Sequence, residues 1–122
     1  MKPVKISDAE WQVMNLVWER PSATAVDIVT TLETKAGWRP RTIRTLLDRL
    51  VQKGALKLLA DGQRRYLPAV TMEECVRRES RSFIERVFGG EPASMLLHVV
   101  RETKLSRKEI DQLKKLLSEK EK

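Results

Sequence analysis

The chain has 122 residues, of which 41% are hydrophobic and 34% charged, and its formal net charge is +7. That is enough for one domain, or for two small ones, with a modest core. One cysteine, Cys75, and one histidine, His98, exclude an internal disulfide and leave no Cys/His cluster for zinc or copper. No run reaches the roughly 18 apolar residues of a membrane span. The start "MKPVKISDAEW" lacks the apolar centre of a signal peptide. The expectation is a cytoplasmic protein with no metal, no cofactor and no direct membrane insertion. A single His, a single Cys and the absence of a Gly-rich phosphate loop also leave no nucleophile and base for an enzyme.

Helix starts are marked by a Ser or Thr three residues ahead of an acid, so that side chains can satisfy orphan backbone N–H groups. The pattern occurs at Ser7 with Glu10, Thr24 with Asp27, Thr71 with Glu74 and Ser106 with Glu109. A first helix is predicted over about Asp8 to Glu19, burying Trp11, Met14, Val17 and Trp18, and "RPSAT" ends it. A second, about Ala25 to Lys35, places Val26, Ile28, Val29 and Leu32 near one face, and Gly37 closes it. Trp11, Trp18 and Trp38 read as packing residues rather than a base-stacking platform.

The third helix begins at Pro40, whose fixed φ suits a first helical position, and ends at Gly54. At about 100° per residue, Ile43, Leu46, Leu47, Leu50 and Val51 fall within roughly 140° of one another and face a core. Arg41, Thr45, Asp48, Gln52 and Arg49 then point away, with Thr42 and Arg44 on the flanks. "ALKLLA", the turn "DGQ" and "RRYLP" follow as a small hairpin. From Gly37 to Leu67 the basic residues are Arg39, Arg41, Arg44, Arg49, Lys53, Lys57, Arg64 and Arg65, against only Asp48 and Asp61. Such a concentration marks a polyanion-binding face, because neutralised phosphates release condensed counterions.

Helix, helix, basic helix, basic hairpin is the order of a winged helix-turn-helix. The third helix would enter a major groove, and Arg64 and Arg65 would meet phosphate or a minor groove. The bland alternatives are a solubilising face for the helix and a charged edge strand for the two arginines. Asp48 sits awkwardly on a phosphate-facing surface. It can pair with Arg44 or Arg41, or accept from a cytosine amino group.

From Thr71 the chain is charged and helical. Three helices are predicted, over about Met72 to Phe88, Pro92 to Glu102 and Arg107 to Glu119. Met95, Leu96, Val99 and Val100 on the fifth, with Ile110, Leu113, Leu116 and Leu117 on the sixth, are too apolar for a tail and too few for a large core. Their expected use is a two-fold dimer, which would set two recognition helices about one DNA turn apart, or a multiple of it, on a palindrome. An intrachain helical cap is the alternative. Cys75 reads as a small buried apolar residue.

Three stretches, "ISDAEWQVMNLVWE", "GWRPRTIRTLLDRLVQKGAL" and "LSRKEIDQLKKLL", resemble the BlaI/MecI family of penicillinase repressors over nearly the whole chain. The resemblance implies a mostly α fold: a winged helix-turn-helix with a small β-hairpin wing over residues 1–70, then a helical dimerisation region over 71–122. It implies a homodimeric transcriptional repressor on a double-stranded operator, with half-sites of the TACA/TGTA type. Arg41, Thr42, Arg44 and Thr45 would face the groove, and Arg39, Arg49, Arg64 and Arg65 would add contacts. In β-lactam-responsive members a membrane sensor protease triggers cleavage at an Asn-Phe pair within an apolar helix. His98 and Val99 stand at that place here, so the candidate bond departs from the family's pair. The copper-responsive members use Cys-x-Cys pairs near the carboxyl terminus, and this chain ends "LLSEKEK". A winged-helix module for protein assembly or non-specific nucleic-acid binding is the competing reading.

Overall fold

The helix starts form as the capping pattern requires. In a computed structural model of the chain, which describes residues 4–122, Ser7 Oγ accepts from the Glu10 amide while Glu10 Oε1 accepts from the Ser7 amide. This reciprocal pair opens α1 (Asp8–Glu19). Thr24 caps α2 (Ala25–Ala36) and Thr71 caps α4 (Met72–Phe88), each by accepting one backbone amide. Ser106 and Glu109 repeat the full capping box at α6 (Arg107–Lys120). By contrast α3 (Pro40–Lys53) and α5 (Pro92–Glu102) open on proline with no side-chain cap.

Gly37 and Gly54 end α2 and α3 in the left-handed conformation, at φ of 69° and 84°, which costs glycine no Cβ clash. The expected hairpin is β2 (Leu56–Ala60) with β3 (Arg64–Pro68), in antiparallel register Leu58 to Tyr66. A third strand was not legible. Ala23 and Thr24 form β1, which pairs with Tyr66 and Arg65, so the sheet order is β1-β3-β2.

The chain divides into two compact units between Arg78 and Glu79. The expected boundary at residue 70 lies ahead of this, and residues 1–3 of that expected domain fall outside the described residues. The first turns of α4 stay with the first unit because Cys75 is buried in its core. That core is built from Val13, Met14 and Val17 of α1, Ile28 of α2, and Ile43, Leu47 and Leu50 of α3, all fully buried. Trp11 and Trp18 are only partly buried, their rings 5.8 Å apart, and the Trp18 indole N–H donates to Val70 O at 3.0 Å. Val26 departs from the expectation. It is 71% exposed, because the α2 core stripe runs through Ile28, Val29 and Leu32 and leaves it outside.

The second unit buries little. Met95, Ile110 and Leu113 are half-buried, while Leu96, Val99, Val100, Leu116 and Leu117 are exposed. Leu96, Val99 and Val100 of α5 and Leu113 and Leu116 of α6 line one open groove. His98 is exposed on α5, its ring 6.2 Å from that of Phe88. No described helix is long and apolar enough to cross a membrane.

Candidate nucleic-acid interface

Helix α3 is held from behind. Ile43, Leu46, Leu47 and Leu50 are buried on the body of the first unit, and Val51 is half-buried. With that face fixed, Arg41, Thr42, Arg44, Thr45, Asp48, Arg49 and Gln52 are all exposed, and so is Arg39 ahead of the helix. The eight arginine and threonine candidates therefore divide among Arg39 ahead of α3, one face of that helix and the wing. Thr45 has a local commitment: its hydroxyl donates to Arg41 O at 3.0 Å. Its methyl and its oxygen lone pairs remain available to a partner.

A polar clamp fixes the far end of the helix. Lys53 Nζ, in the last turn of α3, donates to Glu10 Oε1 and to Lys5 O, the latter at 3.0 Å. Glu10 is 1% exposed, and its Oε2 has no hydrogen-bond partner. Burial pushes its carboxyl up, but Lys53 and the Ser7 amide and hydroxyl outweigh that and hold it below the usual value of 4.5. A buried glutamate was not anticipated. The Ser7 to Glu10 spacing signalled only a capping box, whereas a Glu with both a cap and a lysine partner can be taken out of water.

The two wing arginines differ. Arg64 is exposed at the start of β3. Arg65 is half-buried and donates from Nη1 to Ser22 O at 3.0 Å, with Nη2 3.5 Å from Gln63 Oε1. Ser22 holds φ at +71°, an uncommon conformation for a residue with a Cβ, and the arginine grips its carbonyl. Arg65 thus has a structural duty that its exposed neighbour lacks, though a guanidinium retains further donors.

Between α3 and the wing lies a groove lined by Arg44, Asp48, Gln63, Arg64 and Tyr66, with Thr24 to Asp27 at the start of α2 along one side. Tyr66 is 4% exposed; burial first, and the Asp48 carboxylate second, push its hydroxyl above the usual value of 10.0 against the opposing pull of Arg64 and Arg44. Of the two uses open to Asp48, the pairing with Arg44 or Arg41 does not form. Asp48 takes part in none of the ion pairs found among the described residues. Cys75 is buried as expected, and its thiol is pushed up by burial and by Glu74. Among the described residues no group of three or more His, Cys, Asp or Glu could hold a metal ion.

Three packed helices, the third basic and outward-facing, followed by a basic hairpin paired to a short strand ahead of α2, define a winged helix-turn-helix protein. Residues 6–119 match the family model described as penicillinase repressor, and the chain belongs to that family. The methicillin resistance regulatory protein MecI of Staphylococcus aureus is 35% identical over 120 residues, 98% of each chain. Among solved structures, the DNA-binding domain of the repressor BlaI is similar at 36% identity and a TM-score of 0.56. It covers 61% of this chain and 93% of that one. The monomeric form of Bacillus licheniformis BlaI, in complex with the blaP half-operator, is similar at 34% identity and a TM-score of 0.54, with the same coverage.

Proposed function

We propose that the chain is a transcriptional repressor that binds a palindromic operator in double-stranded DNA as a homodimer, in the cytoplasm and without catalysis of its own. The observation that carries this reading is the face of α3, where Arg41, Thr42, Arg44 and Thr45 are exposed above a back of buried Ile43, Leu46, Leu47 and Leu50. A recognition helix needs that division, because its first turns meet base edges while its back stays on the domain. The likeness to a BlaI structure bound to a half-operator supports the same use of this surface. The exposed aliphatic side chains of α5 and α6 support a second copy as the dimer partner, which would pair two half-site readers on one dyad.

Selection from random duplexes at two salt concentrations tests the reading. Enrichment of a two-fold palindrome is the expected result; salt-sensitive binding with no motif would instead indicate a non-specific module. Arg41→Ala should weaken specific binding by about 1–3 kcal/mol through a lost base contact. Arg64→Ala should weaken binding to all duplexes and make the dependence of log K on log salt shallower by about one per subunit. An unchanged salt slope would remove Arg64 from the phosphate contacts. Arg65→Ala should lower thermal stability as well, since it releases Ser22.

The reading includes a release step, proteolysis within the dimerisation region in response to a membrane sensor protease. The candidate bond, His98–Val99, lies inside the regular helix α5. A protease takes an extended segment, so cutting requires α5 to unwind locally. Fragment masses after derepression would identify the bond, and a chain that stays whole on release of its operator would exclude this step.

A further inference from the structure

The groove between α3 and the wing is lined by two anions, Asp27 of α2 and Asp48 of α3, and Asp48 is the one on the outward face of the basic helix. We propose that Asp48 determines specificity by accepting a hydrogen bond from the N4 amino group of a cytosine in each half-site. This rests on the DNA-binding reading above. With Arg41 set at zero and about 100° per residue, Thr45, Asp48 and Gln52 fall within roughly 40° of it. Asp48 therefore stands on the centre line of the exposed face, opposite the buried Ile43, Leu47 and Leu50.

A carboxylate there repels phosphate, and no ion pair among the described residues involves it. Arg44 and Arg64 line the same groove and offset the charges of Asp48 and Asp27, which lets the carboxylate approach DNA. Base edges in the major groove offer donors only at cytosine N4 and adenine N6. Adenine sets its N7 acceptor beside N6 and repels a second carboxylate oxygen. Guanine presents two acceptors, and thymine an acceptor and a methyl group. Cytosine is the base left. From Arg41 to Asp48 the helix rises about 10 Å, at about 1.5 Å per residue, which is about three base-pair steps of roughly 3.4 Å. The cytosine should lie about that far from the base read by Arg41.

The test is selection from random duplexes with the full chain and with Asp48→Ala, Asp48→Asn and Arg41→Ala, each first checked by circular dichroism. The wild type should enrich a palindrome with cytosine about three steps from the position that Arg41→Ala relaxes. Asp48→Ala should lose roughly fivefold to hundredfold discrimination at that cytosine alone and bind all duplexes more tightly at low salt. Asp48→Asn should move the preference toward adenine, whose N6 and N7 an amide can engage together. If both variants enrich the wild-type motif unchanged, the carboxylate only weakens binding and the proposal is overturned. If the wild type itself enriches no motif, the operator-binding reading fails.

Discussion

A chain lacking Pro92 to Lys122 should keep a folded first unit and, if two copies read one palindrome as proposed, lose operator affinity by about 100- to 10,000-fold, the range expected when two linked half-site contacts become independent. The first unit does not need the deleted helices for its core. Its fully buried hydrophobic side chains lie in α1, α2 and α3 and at Ala55 just after them, and its three strands pair with one another in the order β1-β3-β2. What the truncation removes is the groove of Leu96, Val99, Val100, Leu113 and Leu116. Sedimentation should show a monomer, and titration of a full palindrome should show two weak, independent events. Full affinity in the truncated chain would remove the dimer from the account of binding. A Leu96→Asp, Leu116→Asp variant of the whole chain should reproduce the loss without any deletion.

Lys53→Ala should destabilise the first unit by about 2–3 kcal/mol, because it leaves the Glu10 carboxylate buried without its cation. The figure sits below that for fully buried pairs, since the Lys53 side chain is 38% exposed and water partly screens it. Adding Glu10→Gln should recover part of the loss by removing the stranded charge. Equal stability of the single and double variants would show that the pair is not the cause. Trp11, Trp18 and Trp38 all lie in the first unit, so tryptophan fluorescence in a urea titration reads that unit alone. Acid should act in the same direction. The Glu10 carboxyl is held below its unfolded value of 4.5, so its contribution is complete above that pH and fades as pH falls through the lower folded value. Lys53→Ala should flatten that acid limb.

Much of the molecule could be read before its structure. Ser-x-x-Glu spacings, Pro40 and the two closing glycines placed the helices, since each acts on backbone groups only a few residues away. The face of α3 was legible for a related reason: five aliphatic positions fixed its back, and helical geometry then fixed its front. Contacts that join distant segments were not legible. Arg65 looks like a second Arg64 until β3 pairs with β1 and sets its guanidinium against Ser22. Glu10 looks like a cap until Lys53 arrives from the other end of α3. Val26 satisfied a helical pattern, but which aliphatic residues of α2 are covered depends on how α1 and α3 lie across it.

Among the described residues, four of the six helices begin under a Ser or Thr side chain, and α3 does not. The amides of Arg41 and Thr42 thus receive no side-chain acceptor from Arg39, and Pro40 has no N–H to present. In hydrogen-exchange terms this first turn should be the fast-exchanging end of the helix, because the buried Ile43, Leu46, Leu47 and Leu50 hold the turns that follow. A phosphate oxygen seated on those amides would supply the missing cap. DNA would then complete the secondary structure that the polypeptide leaves unfinished, and slowed exchange at Arg41 and Thr42 would report occupancy of the operator from the protein's own backbone.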